Sequence, residues 1–249
     1  MTTFAKTIAA ERPSEIALRD PRQALTWLEV DDQLNRAANA IRSAELGPER
    51  RIAVFAENGV ETAIANLGGL IGGASVVPVN FHLTAEEVAY ILSDSDSRML
   101  FVGPETAERG LAAAQQAGIS AVVGWRCEEA TLVNWGSWLE DSSGTEPDTS
   151  IKPRPNLLYT SGTTGRPKGT HLPPTMFAGG DTVEAHLENL KLNPLATLGP
   201  HLVVGPMYHT GPLSGARLLA AGAPSVILTK FDAENTLKAI AEFKTTSTI

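Results

Sequence analysis

Cysteine is almost missing. Cys127 stands alone among 249 residues, so no intrachain disulfide can form and no cysteine cluster can hold zinc or an iron-sulfur centre. That usage fits a reducing, cytoplasmic setting. Long hydrophobic runs are missing too. Lys6, Glu11 and Arg12 interrupt the N-terminal MTTFAKTIAAERPSE, which therefore lacks the apolar core of a signal peptide. The most apolar stretch, Ala63 to Val79, is too short and too rich in glycine for a transmembrane segment, and it reads as a buried helix running into a buried strand. Basic charge is in deficit: 28 acidic against 20 basic residues give a formal net charge of -8, which repels nucleic acid and anionic membranes. No Gly-x-Gly-x-x-Gly dinucleotide fingerprint occurs, nor any internal repeat or low-complexity tract.

What is present is ample material for a core, at 43% hydrophobic residues. Thr26 and Glu29 form a capping box, after which Trp27, Val30, Leu34, Ala38 and Ile41 recur at helical spacing until Gly47-Pro48. A strand follows at RIAVFAE, and Asn58-Gly59 turns the chain into the helix VETAIANLGGLIGG. Next come the strand SVVPVN, a helix capped by Thr84 with Glu87, the strand MLFVG, an alanine-rich helix from about Glu105 and the strand ISAVVGW. This alternation predicts an α/β fold of open, doubly wound, mostly parallel sheets with flanking helices. The polar, proline-containing segment 142–155 reads as an exposed connection between a first α/β region, 1–141, and a second, 156–249. In the second region NLLYT, HLVV and SVILT are expected strands. Helices are expected around Thr182 to Leu192, around Leu213 to Ala221, and after Asp232. The closing TTSTI reads as a strand just begun, which predicts a chain cut inside a domain.

Chemistry concentrates in YTSGTTGRPKG, Tyr159 to Gly169, placed directly after an apolar strand. Its glycines, Gly162, Gly165 and Gly169, let backbone N–H groups approach phosphate oxygens without an intervening Cβ. Thr160, Ser161, Thr163 and Thr164 add hydroxyl donors. Lys168 supplies positive charge, and Pro167 fixes the backbone just before it. An acidic protein that binds a polyphosphate must gather positive charge locally, and this loop is where it does so. The Walker loop requires Gly before its Lys and Ser or Thr after it, whereas Pro167 and Gly169 hold those places here. A flexible surface loop rich in Ser, Thr and Gly is the bland alternative, and a shorter piece such as SGTTG would leave it competitive.

The complete string resembles the signature loop of the adenylate-forming superfamily, which includes acyl-CoA synthetases, luciferases and the adenylation domains of peptide synthetases. Residues from about Leu25 to Asn58 resemble that family's opening helix and strand, and LGGLIGGASVVPVNFHLTAEEVAYILSDSDSRMLF resembles its second block. PMYHTGPL, Pro206 to Leu213, resembles the motif beside the carboxylate-substrate pocket, which implies an acyl pocket at Tyr208, His209, Thr210 and Gly211. The closing FDAENTLKAIAEFKTTSTI resembles the helix and strand beyond it. Two departures stand out. Pro174 occupies the place of a common histidine at a helix start, and Pro212 replaces a frequent glycine, which puts the backbone beside the pocket in question. A lone histidine beside aromatics is usually a packing residue, so His209 has that reading as well.

The resemblance implies the front part of the large N-terminal domain of an AMP-forming ligase that activates a carboxylic acid, a fatty acid in the nearest resemblance, with ATP and Mg²⁺. It implies transfer of the acyl group to coenzyme A. The elements that bind adenine and ribose, ligate the metal and provide the adenylation lysine lie beyond Ile249 in this family. No complete catalytic set and no metal ligands are therefore expected in this chain, and the chain alone is expected to be inactive. An adenylation domain serving a carrier protein and a non-catalytic nucleotide-binding module stay open, while the loop spacing speaks against a P-loop kinase. A sheet edge left uncovered by the closing strand predicts homodimerisation.

Overall fold

The structure is a computed structural model that describes residues 4–160, 167–171, 179–197 and 199–249. In chain order its elements are α1 (Phe4–Glu11), β1 (Ile16–Arg19), β2 (Ala24–Thr26), α2 (Trp27–Ser43), β3 (Arg51–Phe55), α3 (Val60–Ile71), β4 (Ser75–Pro78) and α4 (Ala85–Asp94). They continue with β5 (Ser97–Val102), α5 (Ala107–Ala117), β6 (Ala121–Gly124), β7 (Val133–Asn134), α6 (Trp135–Glu140), β8 (Leu157–Thr160), β9 (Lys168–His171) and α7 (Val183–Leu190). The last are β10 (His201–Val203), α8 (Thr210–Arg217), β11 (Ser225–Ile227), α9 (Ala233–Phe243) and β12 (Ser247–Thr248).

Two five-stranded sheets result, ordered β4-β3-β5-β6-β7 and β12-β10-β11-β1-β2, with β8 and β9 as a separate hairpin. The first is parallel throughout; the second is parallel except where β1 meets β2. Period-two alternation explains the layers. Ile52 and Val54 of β3 join one core with Leu18, Ile64, Val203 and Ile227, while Ala53 and Phe55 turn to a second core with Val88, Ile91 and Ala113. A third, smaller core places Leu202 and Val226 against Ala239 of α9. The helices α2 and α3 thus lie between the two sheets. Every residue of α3 is buried, as a helix packed on several sides must be.

Both expected capping boxes are present, Thr26 with Glu29 and Thr84 with Glu87. Asp232 caps α9 by accepting from the Asn235 amide. The segment 142–155 runs as a strap along α2. Arg36 donates to the Ser142 carbonyl at 2.9 Å, Asn39 donates to the carbonyls of Ser143 and Thr145 at 2.8 and 2.7 Å, and Arg42 reaches the Asp148 carbonyl. These three side chains recur at three-residue spacing on one helix face. Sheet membership crosses the strap, because β1 pairs with β11.

Candidate functional site

The hairpin β8–β9 pairs Thr160 with Lys168 and Tyr159 with Gly169, so the two ends of the signature loop leave from adjacent positions on paired strands. Ser161, Gly162, Thr163, Thr164, Gly165 and Arg166 lie outside the described residues, as does Pro174. Lys168 is exposed and pairs with no carboxylate among the described residues, which leaves its charge available. Gly169 lies over the Tyr159 ring, where a Cβ would come within 3.2 Å of the phenol. The Tyr159 hydroxyl donates to Asp94 at the end of α4 at 2.6 Å and fixes the hairpin against that helix. Burial first, then the Asp94 carboxylate, raises the Tyr159 pKa and holds the phenol protonated.

Across from the hairpin stands the segment 205–211. His209 is the N-cap of α8, and Thr210, Gly211 and Pro212 form its first turn. The helix begins three residues before the expected Leu213. Proline is tolerated in a first helical turn because an amide there has no intrahelical acceptor, so Pro212 fits as the third residue of a helix that begins at Thr210. Its ring occupies space beside Gly205, where a Cβ would come within 2.6 Å of Pro212 Cγ. The backbone question raised by Pro212 is thereby answered with a regular helix start.

A residue that the sequence reading treated only as a turn former holds this segment in place. Asn58, 2% exposed, follows β3 and donates from Nδ2 to the carbonyls of Gly205 at 2.8 Å and Leu228 at 3.1 Å. Its Oδ1 accepts from the Met207 amide at 2.8 Å. Both amide hydrogens and the carbonyl are used, so the carboxyl end of one sheet is tied to loops of the other. Phe81, just after β4, meets the Tyr208 ring edge-on at 5.8 Å, and Tyr208 lies against His209 at 4.3 Å. Phe81 and Asn58 gave a sequence signal only by following strand ends, where ligands of open α/β sheets are bound.

Together these pieces line a cavity of about 530 Å³ bounded by Pro78, Val79 and Asn80, by Leu83, Glu87 and Ile91 around α4, by Tyr159, Thr160 and Pro167 of the hairpin, and by Tyr208 and His209. The cavity brings Thr160 together with Tyr208 and His209 at the carboxyl end of β4. Lys168 adjoins it in sequence, and Thr210 and Gly211 stand one step back in the helix. His209 is exposed and makes no hydrogen bond through its ring among the described residues, so it is not a core packing residue. Cys127 is remote from a nucleophile's chemistry: burial, with Glu129 and Glu57 nearby, pushes its thiol up to about 11. Among the described residues no group of three or more His, Cys, Asp or Glu is placed to hold a metal, and no helix is long and apolar enough to cross a membrane.

Thr160 and the Tyr208–His209 pair thus line one cavity, with the exposed Lys168 next in sequence to its lining residue Pro167. The family described as AMP-binding enzyme matches residues 5–249. An indoleacetate–CoA ligase of Aromatoleum aromaticum is 27% identical over 246 residues, covering 97% of this chain and 47% of that protein. A fatty acid–[acyl-carrier-protein] ligase of Streptomyces coeruleorubidus is 32% identical over 167 residues, covering 66% of this chain and 31% of its own. Among solved structures, one described as a putative long-chain-fatty-acid CoA ligase from Rhodopseudomonas palustris superposes with a TM-score of 0.79 at 21% identity, covering all of this chain and 62% of the other. The chain spans about half the length, or less, of these curated relatives.

Proposed function

Because the chain belongs to the AMP-binding enzyme family, we propose that it is the front part of a ligase that joins a carboxylic acid to AMP and then passes the acyl group to a thiol. The observation that carries this reading is the cavity shared by Thr160 of the signature hairpin and the Tyr208–His209 pair. In the proposed first step a carboxylate oxygen attacks the α-phosphorus of ATP, the new O–P bond forms, and the bond to pyrophosphate breaks. Two anions must approach, so fixed donors and cations have to absorb the accumulating charge. Thr160, Lys168 and the loop residues Ser161 to Gly165, with Gly169 closing the hairpin, would bind the phosphates. Tyr208, His209, Thr210 and Gly211 would border the acid. Magnesium, when bound, would neutralise further phosphate charge, and its ligands are expected from outside this chain.

Coenzyme A is the proposed acceptor, supported by the ligase similar over 97% of the chain. Acyl transfer to a carrier protein is the second reading, favoured by the higher identity to a carrier-protein ligase over a shorter stretch. The test is pyrophosphate release and product formation by the protein encoded by the whole reading frame, across a panel of carboxylic acids, with coenzyme A or a phosphopantetheinyl carrier as acceptor. Lys168→Ala is expected to lower adenylate formation by about 10²-fold or more with the fold intact. Release at the parental rate would remove the loop from the mechanism. The 249-residue chain alone is expected to turn over no substrate, since positioning of adenine, ribose and metal is not among its groups. We further propose a cytoplasmic protein that self-associates through β12, one of the two edge strands of its sheet among the described residues.

A further inference from the structure

At the opposite end of the parallel sheet from the candidate site lies a second cavity, of about 640 Å³, between the ends of α2 and α3 and the end of the strap. Four cations border it: Arg42, Arg50, Lys152 and Arg154. In a chain of net charge -8 this grouping is conspicuous, and it is poorly compensated. Arg42 pairs with Asp148 at 3.4 Å, and Glu49, the nearest carboxylate in sequence to Arg50, is taken by Arg51 at 2.8 Å. Among the described residues no carboxylate pairs with Arg50, Lys152 or Arg154.

Local structure explains part of this. Arg50 adopts a left-handed backbone, φ 48°, and turns its guanidinium onto the carbonyls of Ile41, Gly72 and Gly73 at 3.3 to 3.4 Å. A cation over helix-end carbonyls is favourable. Arg154 donates to the Glu49 carbonyl at 3.3 Å. Helix capping accounts for Arg50 alone, and it leaves donors to spare on each five-donor guanidinium. It does not account for Lys152 and Arg154, which the strap brings to the same space. Ile151 anchors that strap by packing on Gly73, where a Cβ would lie within 2.4 Å of Ile151 Cδ1, and its carbonyl accepts from the Val183 amide at 2.7 Å. The cations are therefore held around the cavity by fixed backbone. Burial, and then the charges of Arg154 and Arg42, lowers the Arg50 pKa, as expected for like charges crowded without an anion.

We propose that this cavity binds a small solution anion carrying two or more phosphate charges. A single carboxylate would neutralise one of the uncompensated cations and leave the others, whereas guanidinium forks and an ammonium group match phosphate oxygens several at a time. The site is recessed, with apolar Ile151, Pro153 and Pro155 on one wall, so it suits a molecule that enters rather than a charged surface that lies flat. The negative overall field opposes a polyanionic macromolecule or membrane over its whole footprint, but a small ion meets mainly the local cations. β3 separates this cavity from the candidate site by about 17 Å of strand, so the two can be occupied together.

Titration calorimetry with inorganic pyrophosphate tests the proposal, using the 249-residue chain with Lys168→Ala to remove the signature loop's cation. The expected result is binding of one pyrophosphate per chain, weakened by added salt, with affinity reduced about tenfold or more by Lys152→Glu combined with Arg154→Ala. Lys152→Glu alone, at an exposed position that bears no packing, should already weaken binding and guards against misfolding of the double variant. No binding, or affinity unchanged by either variant, overturns the proposal. Phosphatidylglycerol vesicles form the other arm. They should not sediment the chain, and sedimentation abolished by Lys152→Glu in a chain that ignores pyrophosphate would assign the cations to a lipid surface and overturn it as well.

Discussion

Asn58 and Met207 stand 149 positions apart, and the Met207 amide donates to Asn58 Oδ1 at 2.8 Å. Through this bond and its two donations to Gly205 and Leu228, one buried side chain sets the position of Tyr208 and His209 relative to the carboxyl end of β3. Replacing Asn58 with Leu removes three hydrogen bonds and strands three backbone groups. The expected loss in urea denaturation of the chain is about 2–4 kcal/mol. Asn58→Asp keeps the acceptor but turns a buried carboxylate oxygen onto the Gly205 and Leu228 carbonyls, so at neutral pH it should destabilise at least as much as Asn58→Leu. A loss under about 0.5 kcal/mol for Asn58→Leu would mean that packing alone holds the segment.

Gly205 and Pro212 make a second, steric relationship beside the same pocket. Gly205→Ala should destabilise the chain by about 1–3 kcal/mol, because the new methyl meets the proline ring. Pro212→Ala removes the ring atom in the way. The double variant should therefore recover part of the loss, and additive effects in a double-mutant cycle would refute the contact.

Glu57 is 2% exposed, and burial outweighs the backbone donors of Glu57 and Glu105 and the charge of Arg126 to raise its pKa above the ordinary 4.5. Its folded state therefore holds a proton more tightly than its unfolded state. Below pH about 4.5 the group is protonated in both states and costs nothing by ionisation. As pH rises from there the unfolded chain ionises first, and stability is lost until the folded pKa is passed. Glu57→Met should match the parent in acid and exceed it at neutral pH by about 1–3 kcal/mol. Denaturation midpoints at several pH values decide it, and a difference independent of pH would contradict the ionisation argument.

For the protein encoded by the whole reading frame, His209→Ala is expected to impair use of the carboxylic acid more than ATP affinity. The exposed ring borders the cavity beside Tyr208, and the phosphates are proposed to bind at the signature loop instead. The measurement is KM and kcat for each substrate separately. An unchanged acid KM and kcat would leave the His209 ring with only its contact to Tyr208.

Local signals were legible in the sequence and distant ones were not. The capping boxes at Thr26 and Thr84 are complete within four residues, so pattern alone finds them. The alternation of apolar strands with helices likewise announced the α/β class, and the signature string pointed to the family whose model matches residues 5–249. The two-residue β7, the short α6 and the β1–β2 hairpin went unread because segments of two to six residues carry too little periodicity. β9 was hidden inside the motif, where Lys168 and Gly169 read as loop. Asn58 looked like a turn residue because its partners at Gly205, Met207 and Leu228 are brought near only by the packing of two sheets.

The pairing of Leu18 with Ser225, and of Arg19 with Val226, also sets an order of assembly. The parallel sheet from β3 to β7 is built of neighbours in sequence and can close while the chain is still leaving the ribosome. β1 cannot gain its parallel partner until residues near 225 have emerged, so the hairpin of β1 and β2 must wait, with one side unpaired, until β11 is made. Slow translation between the strap and β11 would lengthen that wait. A pause introduced there should lower the yield of folded protein more than the same pause placed after Ile227.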